Sequence, residues 1–160
     1  MRQRRLEITP MQASDLDDVM EIEKHAFGSQ WARRVFQEEL EREWARIDVV
    51  RRRDDAGNSR VVAFCNYWVV RDEIHLLNIA TLPETRRQGQ ASLLLAHMLE
   101  VAERQHCHYI TLEVRRSNDA AIALYERFGF VAVGVRPKYY AENNEDAIVM
   151  TLETPGGEPR

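Results

Sequence analysis

The chain of 160 residues is 44% hydrophobic and 30% charged and carries a formal net charge of −4. This composition excludes a disordered chain and favours one globular domain with a sizeable core. The acidic balance argues against direct binding of nucleic acid. No apolar run has the length of a membrane span, and the basic start Met1–Pro10 lacks the apolar segment of a secretory signal. We therefore expect a cytoplasmic protein without a membrane partner.

Apolar residues recur with strand or helix spacing along most of the chain, and they predict the element order β-α-α-β-β-β-α-β-α-β-β. Strands are expected over Leu6–Thr9, Ile47–Arg53, Arg60–Val70, Ile74–Thr81, Tyr109–Val114, Phe130–Val135 and Ala147–Leu152. Helices are expected after the capping residue Ser14, over Ala32–Glu43, from Ala91 to about Gln105, and from Ser117 to Gly129. The order implies an α/β fold with one mixed sheet and helices on both faces. We expect a single domain over residues 1–153 and a flexible tail over residues 154–160.

The two cysteines, Cys65 and Cys107, lie in apolar stretches and have no paired spacing. We expect free, buried thiols. His106 and His108 flank Cys107, but consecutive residues at a junction between helix and strand do not converge on one ion. We therefore expect no metal site.

A polar turn, Arg86–Ala91, joins the predicted strand Ile74–Thr81 to a long amphipathic helix. Its single glycine excludes both the dinucleotide-binding fingerprint and the Walker loop. Gly89 and Ala91 leave backbone N–H groups accessible, and the start of the helix is positive, so the turn favours an anion. We interpret this anion as the pyrophosphate of coenzyme A. The alternative is a plain turn with solvated arginines.

Two residues further along the chain are candidates for proton transfer. Glu113 lies in the strand sequence ITLEV, where burial should raise the pKa of its carboxyl towards a value useful to a general base. A solvent-facing glutamate or an ion pair with Arg115 is the alternative. Tyr125 has a phenol that could protonate a leaving thiolate, although an aromatic residue at helical spacing more often belongs to the core.

Taken together, these segments resemble the GNAT acetyltransferase superfamily over nearly the whole chain, and most closely its bacterial ribosomal-protein-alanine N-acetyltransferase branch. The superfamily pattern Q/R-x-x-G-x-G/A is matched by Arg86–Ala91. The branch is matched by Asp72-Glu73, Leu77–Ala80, Leu112–Arg115 with Ser117-Asn118, Ala121–Glu126, Phe128–Phe130, Tyr139-Tyr140 and Glu145–Met150. The resemblance implies the GNAT acyl-CoA N-acyltransferase fold, which has a mixed, mostly antiparallel sheet of about six or seven strands. Its two central parallel strands, here Ile74–Thr81 and Tyr109–Val114, would splay apart around the cofactor.

The resemblance also implies roles for particular positions. Acetyl-CoA would be the co-substrate, with Glu113 as general base and Tyr125 as general acid. The cofactor would be bound by Ile79, Ala80, Thr81, Arg87, Gln88, Gly89, Gln90, Ala91, Ser92 and Asn118, and the acceptor by Trp31, Glu73 and Tyr139. The acceptor would be the N-terminal peptide, beginning with alanine, of a ribosomal protein, and the enzyme would be a monomer or a weak dimer. The acidic segments Asp72-Glu73 and Glu142–Asp146 could attract a basic peptide.

Three positions depart from the branch. Gln30-Trp31-Ala32 stands where the branch has Pro-Trp-Ser, Ala91 replaces a glycine, and Gln90 replaces an aliphatic residue. The first departure concerns the acceptor more than the reaction. Acetylation of protein lysines or of a small amine therefore stays open, as does a non-catalytic module that binds acetyl-CoA.

Overall fold

The computed structural model describes residues 5–27, 33–86 and 89–155. The strands are β1 (Arg5–Pro10), β2 (Ala45–Arg53), β3 (Ser59–Val70), β4 (Glu73–Thr81), β5 (Tyr109–Arg115), β6 (Val131–Tyr140) and β7 (Glu145–Glu153). The helices are α1 (Leu16–Phe27), α2 (Arg33–Glu41), α3 (Gln90–Arg104) and α4 (Asp119–Arg127). The predicted element order is confirmed. Within the described ranges, no helix is long and apolar enough to cross a membrane.

The strands form a seven-stranded mixed sheet in the order β1-β2-β3-β4-β5-β7-β6. The pairs β1–β2, β2–β3, β5–β7 and β6–β7 are antiparallel, whereas β4 and β5 are parallel. The parallel register joins Glu73 through Leu76 to Tyr109 through Leu112, although both strands continue beyond it. This is the pairing expected of two parallel strands that separate along their length.

The chain forms two compact units. The first contains Met1–Trp68 and Asn78–Ala96. Its core is an apolar cluster contributed by the strands and by α1 and α2: Met11, Leu16, Val19, Ile22, Phe36, Ile47, Val49, Val61, Phe64, Ala80 and Leu82. The rings of Phe36 and Phe64 meet edge to face at 5.8 Å, a geometry that aromatic pairs prefer.

The second unit contains Val69–Leu77 and His97–Arg160. Side chains on β5 alternate in burial, so that Ile110, Leu112 and Val114 are covered while the residues between them are half-buried. This alternation follows from the strand geometry, which sends successive side chains to opposite faces. It places Glu113 on the face opposite the buried residues of β5.

β6 forms an edge of the sheet. Nine of its ten residues are exposed, and Val131 and Val133 keep 60% and 61% of their surface accessible. The expected strand ended at Val135, but β6 continues to Tyr140 through a register irregularity between Arg136 and Tyr140. Pro137 lies inside this irregularity. Proline is tolerated there because an edge strand need not donate every N–H group to a ladder.

Three local expectations meet different outcomes. Ser14 does not cap α1; it lies in a 3-10 turn, Ala13–Asp15, where the carboxylate of Asp15 accepts a hydrogen bond from the backbone N–H of Gln12 at 2.8 Å. The cysteines are free and buried, as predicted. Thr154, the first residue of the expected tail, is buried, and its N–H donates to the carbonyl of His108 at 2.9 Å.

Candidate active site

The carboxylate of Glu113 lies near the end of β5, and its side chain is only 8% exposed. One oxygen, Oε2, lies 2.7 Å from Nε2 of His75 on β4. The other, Oε1, lies 3.5 Å from Nη2 of Arg136 on β6. Residues of β4, β5 and β6, all within the second unit, therefore bring an imidazole, a carboxylate and a guanidinium together, although β7 lies between β5 and β6 in the sheet.

The pKa of Glu113 differs from the sequence expectation. Burial raises the pKa of the carboxyl, as predicted. The hydrogen bond from His75 and the charges of His75 and Arg136 lower it by more, so the net pKa is below the ordinary value. The expectation of a raised pKa was therefore wrong, because the partners of the carboxylate lie on other strands. The alternative of an ion pair with Arg115 does not apply either, since Arg115 pairs with Glu142 and Glu145. Glu113 is a carboxylate at neutral pH.

Tyr139 and Tyr140 lie beside this group. Their rings meet edge to face at 5.1 Å, and the guanidinium of Arg136 lies 5.8 Å from the centre of the Tyr139 ring. Burial and the charge of Glu113 raise the pKa of Tyr139, while the pKa of Tyr140 rises to about 12, chiefly through burial. Both phenols are therefore neutral hydrogen-bonding groups near pH 7. Tyr139 is 46% exposed, so it is accessible to an acceptor.

Tyr125 is buried on α4, and its ring centre lies 5.6 Å from that of Phe130. The buried position agrees with the expectation that an aromatic residue at helical spacing belongs to the core. Its assignment as the general acid stays a prediction.

Glu73 lies at the other end of β5 from Glu113. It is exposed and stands opposite Tyr109 in the parallel register. Four residues of strand, about 13 Å, separate Tyr109 from Glu113. The structure thus does not bring Glu73 to the carboxylate, and its contact with an acceptor stays a prediction.

The predicted anion site lies in the first unit, at the start of α3. Gly89 has a φ of +82° and open space where a Cβ would stand, so its backbone conformation, and not crowding, favours glycine. Its carbonyl accepts the N–H of Leu93 at 3.0 Å, which leaves the earlier N–H groups of the helix start to other partners. Ala91 and Ser92 are half-buried, as are Ile79 and Thr81 in β4, whereas Ala80 is buried.

Gln90, the first residue of α3, is almost completely buried. Neither its amide nitrogen nor its amide oxygen has a hydrogen-bond partner among the residues that the structure describes. A buried polar group without a partner is unfavourable. This buried amide stands at a position where the sequence already departed from the aliphatic pattern, and we expect it to lower the stability of the helix start.

Asn118 caps α4, and its Oδ1 accepts the backbone N–H of Ala121 at 3.2 Å. This contact explains why the helix begins at Asp119. The predicted contact of Asn118 with the cofactor stays a prediction. Trp31, Arg87 and Gln88, with the neighbouring Gln30 and Ala32, lie outside the described residues.

The acidic loop between β6 and β7 is bonded within the second unit. Arg115 forms ion pairs with Glu142 and Glu145, and Oε2 of Glu145 accepts the backbone N–H of Ser117 at 2.7 Å. Asp146 lies 3.7 Å from Arg116. Much of the acidic charge is thus neutralised by neighbouring groups, which weakens the idea that the loop attracts a basic peptide.

Comparison with known proteins decides the family. The model of the Acetyltransferase (GNAT) family matches residues 16–130. The ribosomal protein bS18-alanine N-acetyltransferase of Escherichia coli (strain K12) is 35% identical over 147 residues, which cover 91% of this chain and 95% of that protein. The chain belongs to the GNAT acetyltransferase family.

Two further comparisons agree with this GNAT assignment. The crystal structure of the ribosomal-protein-S18-alanine N-acetyltransferase from Escherichia coli matches with a TM-score of 0.82 at 34% identity, and covers 93% of this chain and 94% of that one. An N-alpha-acetyltransferase of Saccharolobus solfataricus is 47% identical over 77 residues, or 48% of this chain and 46% of that protein. The expected α/β GNAT fold is confirmed.

Sequence reasoning missed two residues of this GNAT site, His75 and Arg136. His75 was visible as a polar interruption of an apolar strand, a signal that marks a residue needing a partner. Arg136 fell beyond the expected end of β6, so it was not assigned to a strand. Their contacts with Glu113 depend on the pairing register, which one sequence does not provide.

Proposed function

We propose that this acetyltransferase moves the acetyl group of acetyl-CoA to the N-terminal α-amine of a ribosomal protein, with alanine as the first residue. The observation that carries the proposal is the covered Glu113 carboxylate, bonded to His75 at 2.7 Å and facing Arg136 at 3.5 Å. The named activity of the relative from Escherichia coli, which this chain matches over 91% of its length, supports the choice of acceptor.

The turn before α3 is proposed to bind the pyrophosphate of acetyl-CoA. Three features of the turn favour binding of an anion: it lies at a helix start, Gly89 has a positive φ, and Ala91 has a small side chain. Exposed N–H groups at a helix start and the helix dipole both favour negative charge. Arg87, Gln88, Gly89, Gln90, Ala91 and Ser92 are the residues assigned to this role, while backbone groups of Ile79, Ala80 and Thr81 are assigned to the pantetheine arm and the acetyl carbonyl.

The acceptor amine attacks the thioester carbonyl in its neutral form. A carbon–nitrogen bond forms and the carbonyl oxygen becomes an oxyanion, which backbone N–H groups of β4 near Ile79–Thr81 are proposed to stabilise. The attacking nitrogen then loses a proton to Glu113, directly or through one water. The carbon–sulfur bond breaks, and the phenol of Tyr125 is proposed to protonate the departing thiolate.

The low pKa of Glu113 favours an α-amine as acceptor. A carboxylate with a lowered pKa is a weak base, so it serves best where the amine is already neutral before attack. A protein α-amine has a pKa of about 7.7 to 8.0, whereas a lysine side chain has a pKa of about 10.4. At pH 7.5 roughly a third of such α-amines are neutral, but only about one lysine in a thousand.

Mass spectrometry tests the proposal. A peptide with the N-terminal sequence of ribosomal protein bS18 and an unmodified alanine is incubated with acetyl-CoA, and fragmentation locates the added acetyl group. We expect the mass gain on the α-amine and none on a copy whose α-amine is blocked. A gain on an internal lysine alone would overturn the proposal.

Glu113→Gln tests the assigned base. We expect kcat to fall by about 100- to 10,000-fold, the usual contribution of a general base. Glu126→Gln, at an exposed position on α4, is the matched control and should keep the wild-type rate. Wild-type turnover in Glu113→Gln would remove Glu113 from the mechanism.

A further inference from the structure

We propose that Arg136 is a positioning residue that makes the site select neutral amines over protonated ones, by compensating the charge of Glu113. The inference rests on the proposed function and deepens it, because it assigns the choice between α-amine and lysine to one residue of β6. It is argued from the groups that face the carboxylate.

The guanidinium of Arg136 contacts Glu113 and is also accessible to solvent. Its Nη2 lies 3.5 Å from Oε1 of Glu113, and its side chain is 58% exposed while that of Glu113 is 8% exposed. The guanidinium also lies 5.8 Å from the centre of the Tyr139 ring, close enough for a cation–π interaction. The guanidinium thus presents a positive charge on the solvent side of the carboxylate.

Each strand near Glu113 contributes a different kind of group. β4 contributes His75, whose charge depends on protonation, and β6 contributes Arg136, whose charge is permanent. The phenols of Tyr139 and Tyr140 on β6 have raised pKa values, so they are neutral near pH 7. β7 places Val149, which carries no charge, opposite Glu113. Arg136 is thus the lasting positive charge among the described groups that act on this carboxylate.

A carboxylate at an amine-binding site lowers the selectivity for neutral amines over protonated ones. It attracts any ammonium group, and lysine side chains are nearly all ammonium at neutral pH. An ammonium bound beside the carboxylate can pass its proton to Glu113 and then attack in its neutral form. With a guanidinium at its other oxygen, the carboxylate offers an ammonium little net attraction. Roughly a third of an α-amine peptide is already neutral at pH 7.5, so its reaction depends far less on this attraction and the choice shifts towards it.

The test is Arg136→Gln, assayed on two peptides of equal length at pH 7.5. One has a free α-amine and no lysine, and the other has a blocked α-amine and one lysine. We expect the ratio of kcat/KM for the α-amine peptide to that for the lysine peptide to fall about fivefold, the effect of one unit charge about 4 Å away in water, because the Arg136 side chain is 58% exposed. The gain on the lysine peptide should come mainly from a lower KM.

Two measurements separate this electrostatic role from a structural one. Arg136→Lys keeps the positive charge and should restore most of the wild-type ratio. At about 1 M salt, where the Debye length is about 3 Å, the difference between Arg136→Gln and the wild type should shrink. A ratio that changes in Arg136→Lys as much as in Arg136→Gln, or that ignores salt, would contradict the proposal.

Arg116→Gln is the matched control. Arg116 is 59% exposed and lies 3.7 Å from Asp146, and its substitution by Gln removes one positive charge, as Arg136→Gln does. It should leave the ratio unchanged. If the wild type acetylates neither peptide, the proposed function fails. If it acetylates the α-amine and Arg136→Gln keeps the same ratio, the inference alone fails.

Discussion

Glu113 shows how one carboxyl group is governed by residues far away in the sequence. Its place on a strand and its partial burial could be read from the sequence ITLEV. The direction of its pKa could not, because His75 and Arg136 reach it from β4 and β6 and together outweigh the effect of burial. A single sequence predicts the alternation of side chains along a strand, but the partners across neighbouring strands depend on the register.

The lowered pKa of Glu113 has a consequence for the pH dependence of activity. Because the carboxylate is already ionised at pH 6, the acceptor amine and not Glu113 should control the rate between pH 6 and pH 9. We expect kcat/KM for an α-amine peptide to fall about tenfold per pH unit below the amine pKa of about 7.7 to 8.0. The measurement is a pH profile with a single slope. A second, steeper limb between pH 6 and pH 7 would show that a group of the enzyme, and not the acceptor amine alone, titrates there.

At the scale of elements, the sequence located every strand and α-helix that the structure describes, and the errors concern their ends and two short 3-10 helices, Ala13–Asp15 and Pro83–Thr85. β6 was expected to stop at Val135, yet the strand continues to Tyr140 and accommodates Pro137 in a register irregularity at the edge of the sheet. α1 was expected to begin after Ser14, but a 3-10 turn precedes it, and the carboxylate of Asp15 accepts the N–H of Gln12 at the start of that turn. Both differences arise from contacts that local sequence patterns do not contain.

The start of α3 should be stabilised by removing its buried amide. In Gln90→Met, a side chain of similar length and helix propensity replaces a polar group whose two amide atoms have no partner in the described structure. We expect the free energy of unfolding to rise by about 1–3 kcal/mol, the usual penalty of an unsatisfied buried group. Urea unfolding followed by circular dichroism measures it.

Gln37→Met is the control for that experiment, since Gln37 is exposed on α2. Its effect should stay within about 0.5 kcal/mol, as is usual for surface substitutions. Equal effects at both positions would mean that burial of the amide is not the cause. A loss of stability in Gln90→Met would mean that the amide is satisfied in solution.

Asn118 offers a way to separate capping from cofactor binding. Asn118→Ala removes the acceptor for the N–H of Ala121 and should lower the free energy of unfolding by about 1 kcal/mol, while Asn118→Asp retains a capping oxygen. If the side-chain amide also contacts acetyl-CoA, KM for the cofactor should rise in both variants. An unchanged KM in Asn118→Asp would restrict the residue to capping.

At the scale of the whole molecule, acid stability should depend on carboxylates in both units. Burial raises the pKa of Asp15, but hydrogen bonds from Arg51 and from the backbone of Gln12 lower it below its ordinary value. The hydrogen bonds from Ser117 lower the pKa of Glu145 to about 2. A carboxyl whose pKa is lower in the folded state stabilises that state above its unfolded pKa and loses the contribution as the pH falls through the folded value.

We therefore expect stability to be constant near neutral pH and to fall between about pH 4.5 and pH 2, where these carboxylates take up protons. Urea midpoints at pH 7, 5 and 3 measure the effect. Arg51→Met leaves the buried Asp15 without its ion-pair partner, a loss that typically costs about 3–5 kcal/mol at neutral pH. Its further loss on acidification should be smaller than that of the wild type, because Arg51 no longer lowers the pKa of Asp15. A midpoint at pH 3 equal to that at pH 7 would contradict the assignment.

The two residues to which acceptor choice is assigned above, Arg136 and Tyr139, lie on the exposed edge strand β6. The side chains of this strand contribute little to a core, so substitutions there should change stability only slightly. Random mutagenesis confined to these two codons should accordingly give mostly folded proteins with altered amine preference. The same number of changes in β5, where buried and site residues alternate, would eliminate most of the library. Variation in acceptor choice among natural descendants of this protein should therefore be concentrated on its outermost strand.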